Sequence, residues 1–291
     1  MLFNLKESHQ GWLNGLIGVV IFAGSMPATR VAVNGFSPEF LTGARACIAA
    51  ILALILLLVL KQPRPSMHQM KSLCIISAGV VIGFPLFTAL ALQTETAAHS
   101  LIFVALLPLA TACFAVLRAK EMPNNAFWMY AVFGSALVIF FMLHQSGLKG
   151  LSLGDLYMIS AVLLCGLGYA EGGVLSRTLG GWQVICWALI IALPLMLPLC
   201  WLYFPSSFHG IPPSAYIGLA YVSLFSMLLG FFFWYKGLAL GGIAKIGQIQ
   251  LVQPFIGLVL CALLLNEHIS LLMIAVSLAV VSCVVMAKKH A

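Results

Sequence analysis

The chain has 291 residues, 63% of them hydrophobic and only 7% charged, with a formal net charge of +7 and a mean hydropathy of +1.11. Soluble domains are about one quarter charged, and a fold of this size has too little interior to hide so much apolar surface. A soluble enzyme and a nucleic-acid binder are therefore poor readings. The basic residues are scattered as caps on apolar runs rather than gathered into a patch.

In chain order, charged and turn residues cut the sequence into ten apolar segments near the length of a membrane helix. They cover 12–33, 38–60, 72–93, 98–117, 125–144, 155–176, 183–204, 214–235, 243–265 and 268–287. With the N-terminus in the cytoplasm and ten crossings, eleven basic residues fall at cytoplasmic ends: Lys6, Lys61, Arg64, Lys71, Arg118, Lys120, Arg177, Lys236, Lys245, Lys288 and Lys289. Three, Arg30, Arg45 and Lys149, fall outside. This bias predicts a multi-pass protein of the cell (inner) membrane with both termini cytoplasmic. The first segment loosely fits a signal peptide, but Pro27 before Ala28 and Arg30 at its end read better as a retained span.

A repeat runs through the segments. Pro108 and Pro254 are 146 residues apart, as are Glu121 and Glu267; Ala91-Leu92 pairs with Gly237-Leu238 and Ala98 with Ala244. In the first span of each half, an offset of 147 pairs Phe22 with Tyr169 and Arg30 with Arg177. The expected fold is all-α, with ten transmembrane helices in two five-helix units at 12–146 and 154–289. An odd number of spans per unit inverts the second copy. Inverted repeats predict alternating access, with a solute site near mid-membrane between the halves. Pro108 and Pro254 would each loosen a helical turn, for gating or for packing.

These marks resemble the EamA-type drug/metabolite transporters. The resemblance is carried by FAGSMPATR (22–30), Arg45 in LTGARACIAA, and the spaced AL, A, P and E of spans 3 and 4, which recur at Gly237-Leu238, Ala244, Pro254 and Glu267. Phe22 stands where such proteins usually have tryptophan, and Glu171 lies outside the general pattern. The resemblance implies a secondary-active exporter of a small organic metabolite, such as an amino acid. A lipid flippase or scramblase and a channel are the alternatives, and a membrane-embedded enzyme is a further one.

Ionisable and polar residues at membrane depth supply the candidate site. Arg30 lies near the outer end of span 1 and Arg45 about two turns inside span 2, with Glu39 between them in sequence and Glu95 and His99 at the outer level. Together they read as a structural ion-pair layer, or as an anion-attracting vestibule or outer gate. Glu121 and Glu267 end their helices as architecture or gating. Glu171 needs a partner from another helix, with Lys236 the first candidate; a structural pair, a solute contact and proton coupling are its three readings. Gln250 and Gln253 share a helix face, as cavity lining or as interhelical glue. Trp12, Trp128, Trp182, Trp201, Trp234 and Tyr235 read as an interfacial belt, though FFFWY (231–235) must turn some rings inward. Phe22 and Tyr169 join Trp234 as aromatic candidates. GVVIG (79–83), GYAEG (168–172) and GLALG (237–241) mark close helix contacts.

None of the eight cysteines forms a CxxC pair, and there is no HExxH, GxSxG or P-loop. The expectation is no enzyme, no cofactor and no metal. The partners are a small-molecule solute, the lipid bilayer and, under one reading of Glu171, protons; the sequence leaves the oligomeric state open.

Overall fold

The computed structural model describes residues 2–119, 125–145 and 152–289. Among the described residues, seven apolar helices are long enough to cross a membrane. They are α1 (His9–Ala32), α2 (Pro38–Val59), α3 (Met67–Thr94), α4 (Ala97–Arg118), α6 (Leu153–Leu179), α7 (Gly181–Leu202) and α8 (Pro213–Gly241). Between them and after them lie α5 (Asn125–Gln145), α9, whose unbroken part is Gln253–Leu265, and α10 (Leu271–Lys289). Among the described residues there is no strand. Large apolar side chains point outward, with Leu58 68%, Leu263 72% and Trp201 81% exposed. Such a surface is stable only in an apolar solvent.

Local chemistry sets the helix ends. Ser37 accepts from the Phe40 N–H, and Pro38 opens α2. Thr96 caps α4 through the His99 N–H. Ser152 and Asp155 form a reciprocal capping box on α6. Gly180 and Gly242 have φ of 97° and 87°, which glycine reaches without a Cβ clash, and they make the tight turns α6–α7 and α8–α9.

The interior of several helices departs from α geometry at matched places. A π-helical stretch covers Ser77–Gly83 in α3 and another covers Val222–Leu229 in α8. At the 146-residue offset these fall on each other. In α4 the helix is interrupted at Ala105–Leu106 and restarts at Leu107, with Pro108 in its second position. In α9 the chain begins as Ile243–Gly247, tightens to a 3-10 turn over Gln248–Val252, and restarts at Gln253 with Pro254 second. Proline lacks the N–H and crowds the carbonyl four residues back, so each break lies on its N-terminal side.

Packing follows the same pairing. α1 lies along α8 as α6 lies along α3; α9 packs on α1 as α4 packs on α6. The α2 helix meets α7, and α5 meets α10. Small residues allow the close seams. A Cβ on Gly237 would stand 2.8 Å from the Gly15 nitrogen, and one on Gly79 would stand 2.5 Å from the Leu164 carbonyl oxygen. All three GxxxG stretches therefore pack a helix: residues 79 and 168 meet each other, Gly172 meets Tyr235, and Gly241 stands beside Gly11.

Candidate transport site

A small cavity, ≈ 20 Å³, lies between the halves. Its walls include Phe22, Ser25, Arg45, Val80, Pro85, Leu107, Tyr169, Ser226, Phe231 and Gln253. Eight of these residues form four pairs at the repeat offset: Phe22 with Tyr169, Val80 with Ser226, Pro85 with Phe231, and Leu107 with Gln253. The cavity is thus built from equivalent positions of α1 and α6, α3 and α8, α4 and α9. The polar member of three pairs belongs to the second half.

Aromatic rings form one wall. Phe22 stacks on Tyr169 with centroids 6.3 Å apart and meets Phe231 edge-on at 5.1 Å. Trp234 closes the cluster 5.4 Å from Tyr169. Trp234 and Tyr235 are wholly buried, so they leave the interfacial belt in which the sequence reading placed them. The π stretch before them shifts the phase of α8 and turns these rings inward.

Arg45 is the charged group of the cavity. It is only 5% exposed. One guanidinium nitrogen donates to Ser226 Oγ at 3.3 Å, and Ser25 donates to the same oxygen at 2.7 Å. Its Nε has no partner. Among the described residues, no carboxylate lies within ion-pair distance of it. The expected layer joining Arg45 to Glu39 and Glu95 is therefore not formed. Glu39 instead sits half-buried in the first turn of α2, where the helix dipole favours a negative charge.

Gln253 and Gln250 are 4% and 1% exposed. Gln253 Oε1 meets no hydrogen-bond partner, and Gln250, beside Tyr169, has neither amide atom in bonding geometry. The 3-10 turn carries Gln250 and the following helix carries Gln253, so both amides reach the interior.

At one end of the bundle a polar cluster joins the halves. His99 Nε2 is 2.8 Å from Asp155 and 3.8 Å from Glu95. Ser152 Oγ donates to Glu95 at 2.8 Å. Glu267 accepts the Ala97 and Ala98 N–H groups at 3.0 and 2.8 Å, placing a carboxylate on the N-terminus of α4. Arg30 donates to the Leu92 carbonyl in the last turn of α3. The sequence reading missed Asp155; the S-x-x-D spacing after Ser152 was the available signal. Glu121 lies outside the described residues.

At the other end Glu171 pairs with Arg118 at 2.9 Å. The expected partner, Lys236, is exposed and makes no such pair. Arg118 reaches Glu171 because α4 packs on α6. Pro108 and Pro254 are both buried beside the helix breaks that flank the cavity. Of the nine solute or coupling candidates, Phe22, Tyr169, Trp234, Gln250 and Gln253 come together. Arg45, expected in an end layer, joins them; His99, Arg30, Glu171 and Lys236 lie elsewhere.

The EamA-like transporter family matches twice, over residues 9–143 and 152–287. A Bacillus subtilis (strain 168) protein, "Uncharacterized transporter YdeK", is 54% identical over 287 residues, covering 99% of this chain and 100% of its own. A crystal structure of a protein 16% identical to this chain superposes with a TM-score of 0.71, over 97% of this chain and 99% of the other, a likeness of fold alone. With two matches spanning both halves, the chain belongs to the EamA-like transporter family, and it is a multi-pass membrane transporter.

Proposed function

We propose that the chain is a secondary-active carrier that moves a small organic metabolite, such as an amino acid or a related solute, outward across the inner membrane by alternating access. It crosses the bilayer ten times, as two inverted five-helix units at 12–146 and 154–289, with both termini cytoplasmic. Glu95, Asp155 and Glu267 then mark the outer end, and the Arg118–Glu171 pair the inner end.

The observation that carries this reading is the pairing of cavity walls at the repeat offset. If the halves are inverted, each wall residue has an equivalent on the opposite side of the membrane mid-plane. Parting the helices at one end and closing them at the other then converts one state into its mirror at similar energy. The outer end is clasped by His99 with Asp155 and by Glu267 on α4. The broken helices α4 and α9 supply the turns that move.

The test is counterflow in liposomes holding the purified protein. Saturable exchange of a labelled solute against its own kind supports the carrier. Lipid flipping without solute exchange, or ohmic current, replaces it with a scramblase or a channel. Reporter fusions at Lys61, Arg118 and Lys288 should read cytoplasm, and fusions near Glu95 and His209 should read the outside. An outside signal at Lys288 removes the ten-span inverted arrangement.

A further inference from the structure

Five side chains of the cavity, Ser25, Arg45, Tyr169, Ser226 and Gln253, carry polar groups, yet among the described residues its one full charge has no counter-charge. The described carboxylates are all engaged or distant: Glu95 and Asp155 with His99, Glu171 with Arg118, Glu267 with two backbone N–H groups, and Glu39 at the start of α2. Arg45, whose guanidinium keeps its proton inside proteins, thus lacks a counter-ion in an interior walled in part by Phe22, Val80, Leu107 and Phe231. A buried charge without a partner is costly, and the cost falls when an anion joins it.

The polar groups around Arg45 are only partly used on each other. Ser25 and Ser226 are spent on one another and on Arg45. Arg45 Nε and Gln253 Oε1 stay unpartnered while almost wholly buried, and Gln250, equally buried, has only the Tyr169 hydroxyl near its amide. The helix α7, which takes the place of α2 in the second half, carries no basic residue, so the positive site occurs once and gives the cavity a direction. Chemistry then selects the solute. A guanidinium fork matches a carboxylate with two parallel N–H donors. The glutamine oxygens accept from a hydroxyl, amine or amide proton, and the rings of Phe22 and Phe231 suit an apolar body.

We infer that Arg45 is the anion-binding residue of the central cavity, and that the transported solute is a small amphipathic carboxylic acid whose carboxylate Arg45 holds, with a separate hydrogen-bond donor directed at Gln250 and Gln253. This rests on the carrier reading of the same cavity. The ≈ 20 Å³ volume holds about one water-sized body, so the solute enters only when the helices part.

The experiment compares acids with their own amides, which differ in charge and hardly in shape. The purified full-length protein is heated in detergent with acetate, 3-phenylpropionate, L-leucine or L-phenylalanine, and with the primary amide of each. At least one acid should raise the melting temperature in a saturable way, with its amide at least about tenfold weaker, since a charge-assisted pair is lost. Arg45→Gln should abolish that preference. Arg45→Lys, which keeps the charge but loses the planar fork, should reduce it, and serves as the test if the glutamine variant does not fold. Equal stabilisation by acid and amide overturns the inference, as does no response to any acid, or an unchanged acid preference in either folded variant. Counterflow of the same panel separates this outcome from the carrier reading. Exchange of amides without acids overturns the anion site and leaves the carrier. Acid binding without exchange of any member removes the carrier and leaves the anion site.

Discussion

The two halves match in several local backbone features and differ in chemistry. Both place a π stretch in their third helix, a proline-marked break in their fourth, and small residues along one long seam. At the cavity, however, the first half contributes Phe22, Val80 and Leu107 where the second contributes Tyr169, Ser226 and Gln253. Arg45 reverses the trend, as the charge supplied by the first half. The difference separates two requirements. In the proposed carrier, exchange between two conformations would depend on matched backbones and seams. Recognition would depend on unmatched side chains, because the proposed solute, with one charged end, has no two-fold symmetry.

The largest expected effect falls on the shared scaffold. Gly237→Leu in the α1–α8 seam and Gly79→Leu in the α3–α6 seam each force a side chain into backbone. Both should destabilise by about 3 kcal/mol or more, and equally, as read by thermal unfolding in detergent. A large cost at one seam with a small cost at the other would break the equivalence of the halves.

Glu267→Gln comes next. It removes an anion from two N–H groups at the start of α4, at a cost of about 1–2 kcal/mol. Solute ranking should not change. The sequence pairs Glu267 with Glu121, so Glu121→Gln should behave alike; a changed ranking with unchanged stability would assign these carboxylates to the solute instead.

A smaller effect is expected at the unmatched positions. Ser226→Val installs the residue type of its partner Val80 and removes the hydroxyl shared by Ser25 and Arg45. Stability should fall by about 1 kcal/mol, whereas counterflow should fall further. The reciprocal Val80→Ser should leave counterflow near wild type. Similar transport losses in both variants would mean that the asymmetry carries no recognition.

The smallest stability effect belongs to Glu171. Arg118 is 40% exposed, so a double-mutant cycle of the pair should give at most about 1 kcal/mol. Its sharper use is functional. Lost uptake against a pH gradient in Glu171→Gln, with exchange preserved, assigns proton coupling to this carboxylate. Loss of both in a folded protein assigns gating or binding, and wild-type rates in both remove any transport role.

Sequence alone determined the solvent, the helical class and the doubling. Composition demands lipid, apolar runs in lipid must satisfy their own backbone, and repeat offsets are arithmetic on residue numbers. The pairs Phe22 with Tyr169 and Pro108 with Pro254 were legible for that reason. Tertiary structure decided which charges meet. Glu171 and Lys236 stood at one expected level, but level is only the axial coordinate. The rotation of each helix and its choice of neighbour brought Arg118 to Glu171 instead. Arg45 likewise groups by sequence with Glu39 and Glu95 in an expected outer layer, yet its place about two turns into α2 turns it to Ser226 and the cavity. Trp234 and Tyr235, expected in a belt, are wholly buried beyond a π stretch in α8, a break in the helical period that regular periodicity does not encode. Axial position is local to a helix and written in its sequence, whereas azimuth and partner are settled only when all the helices pack together.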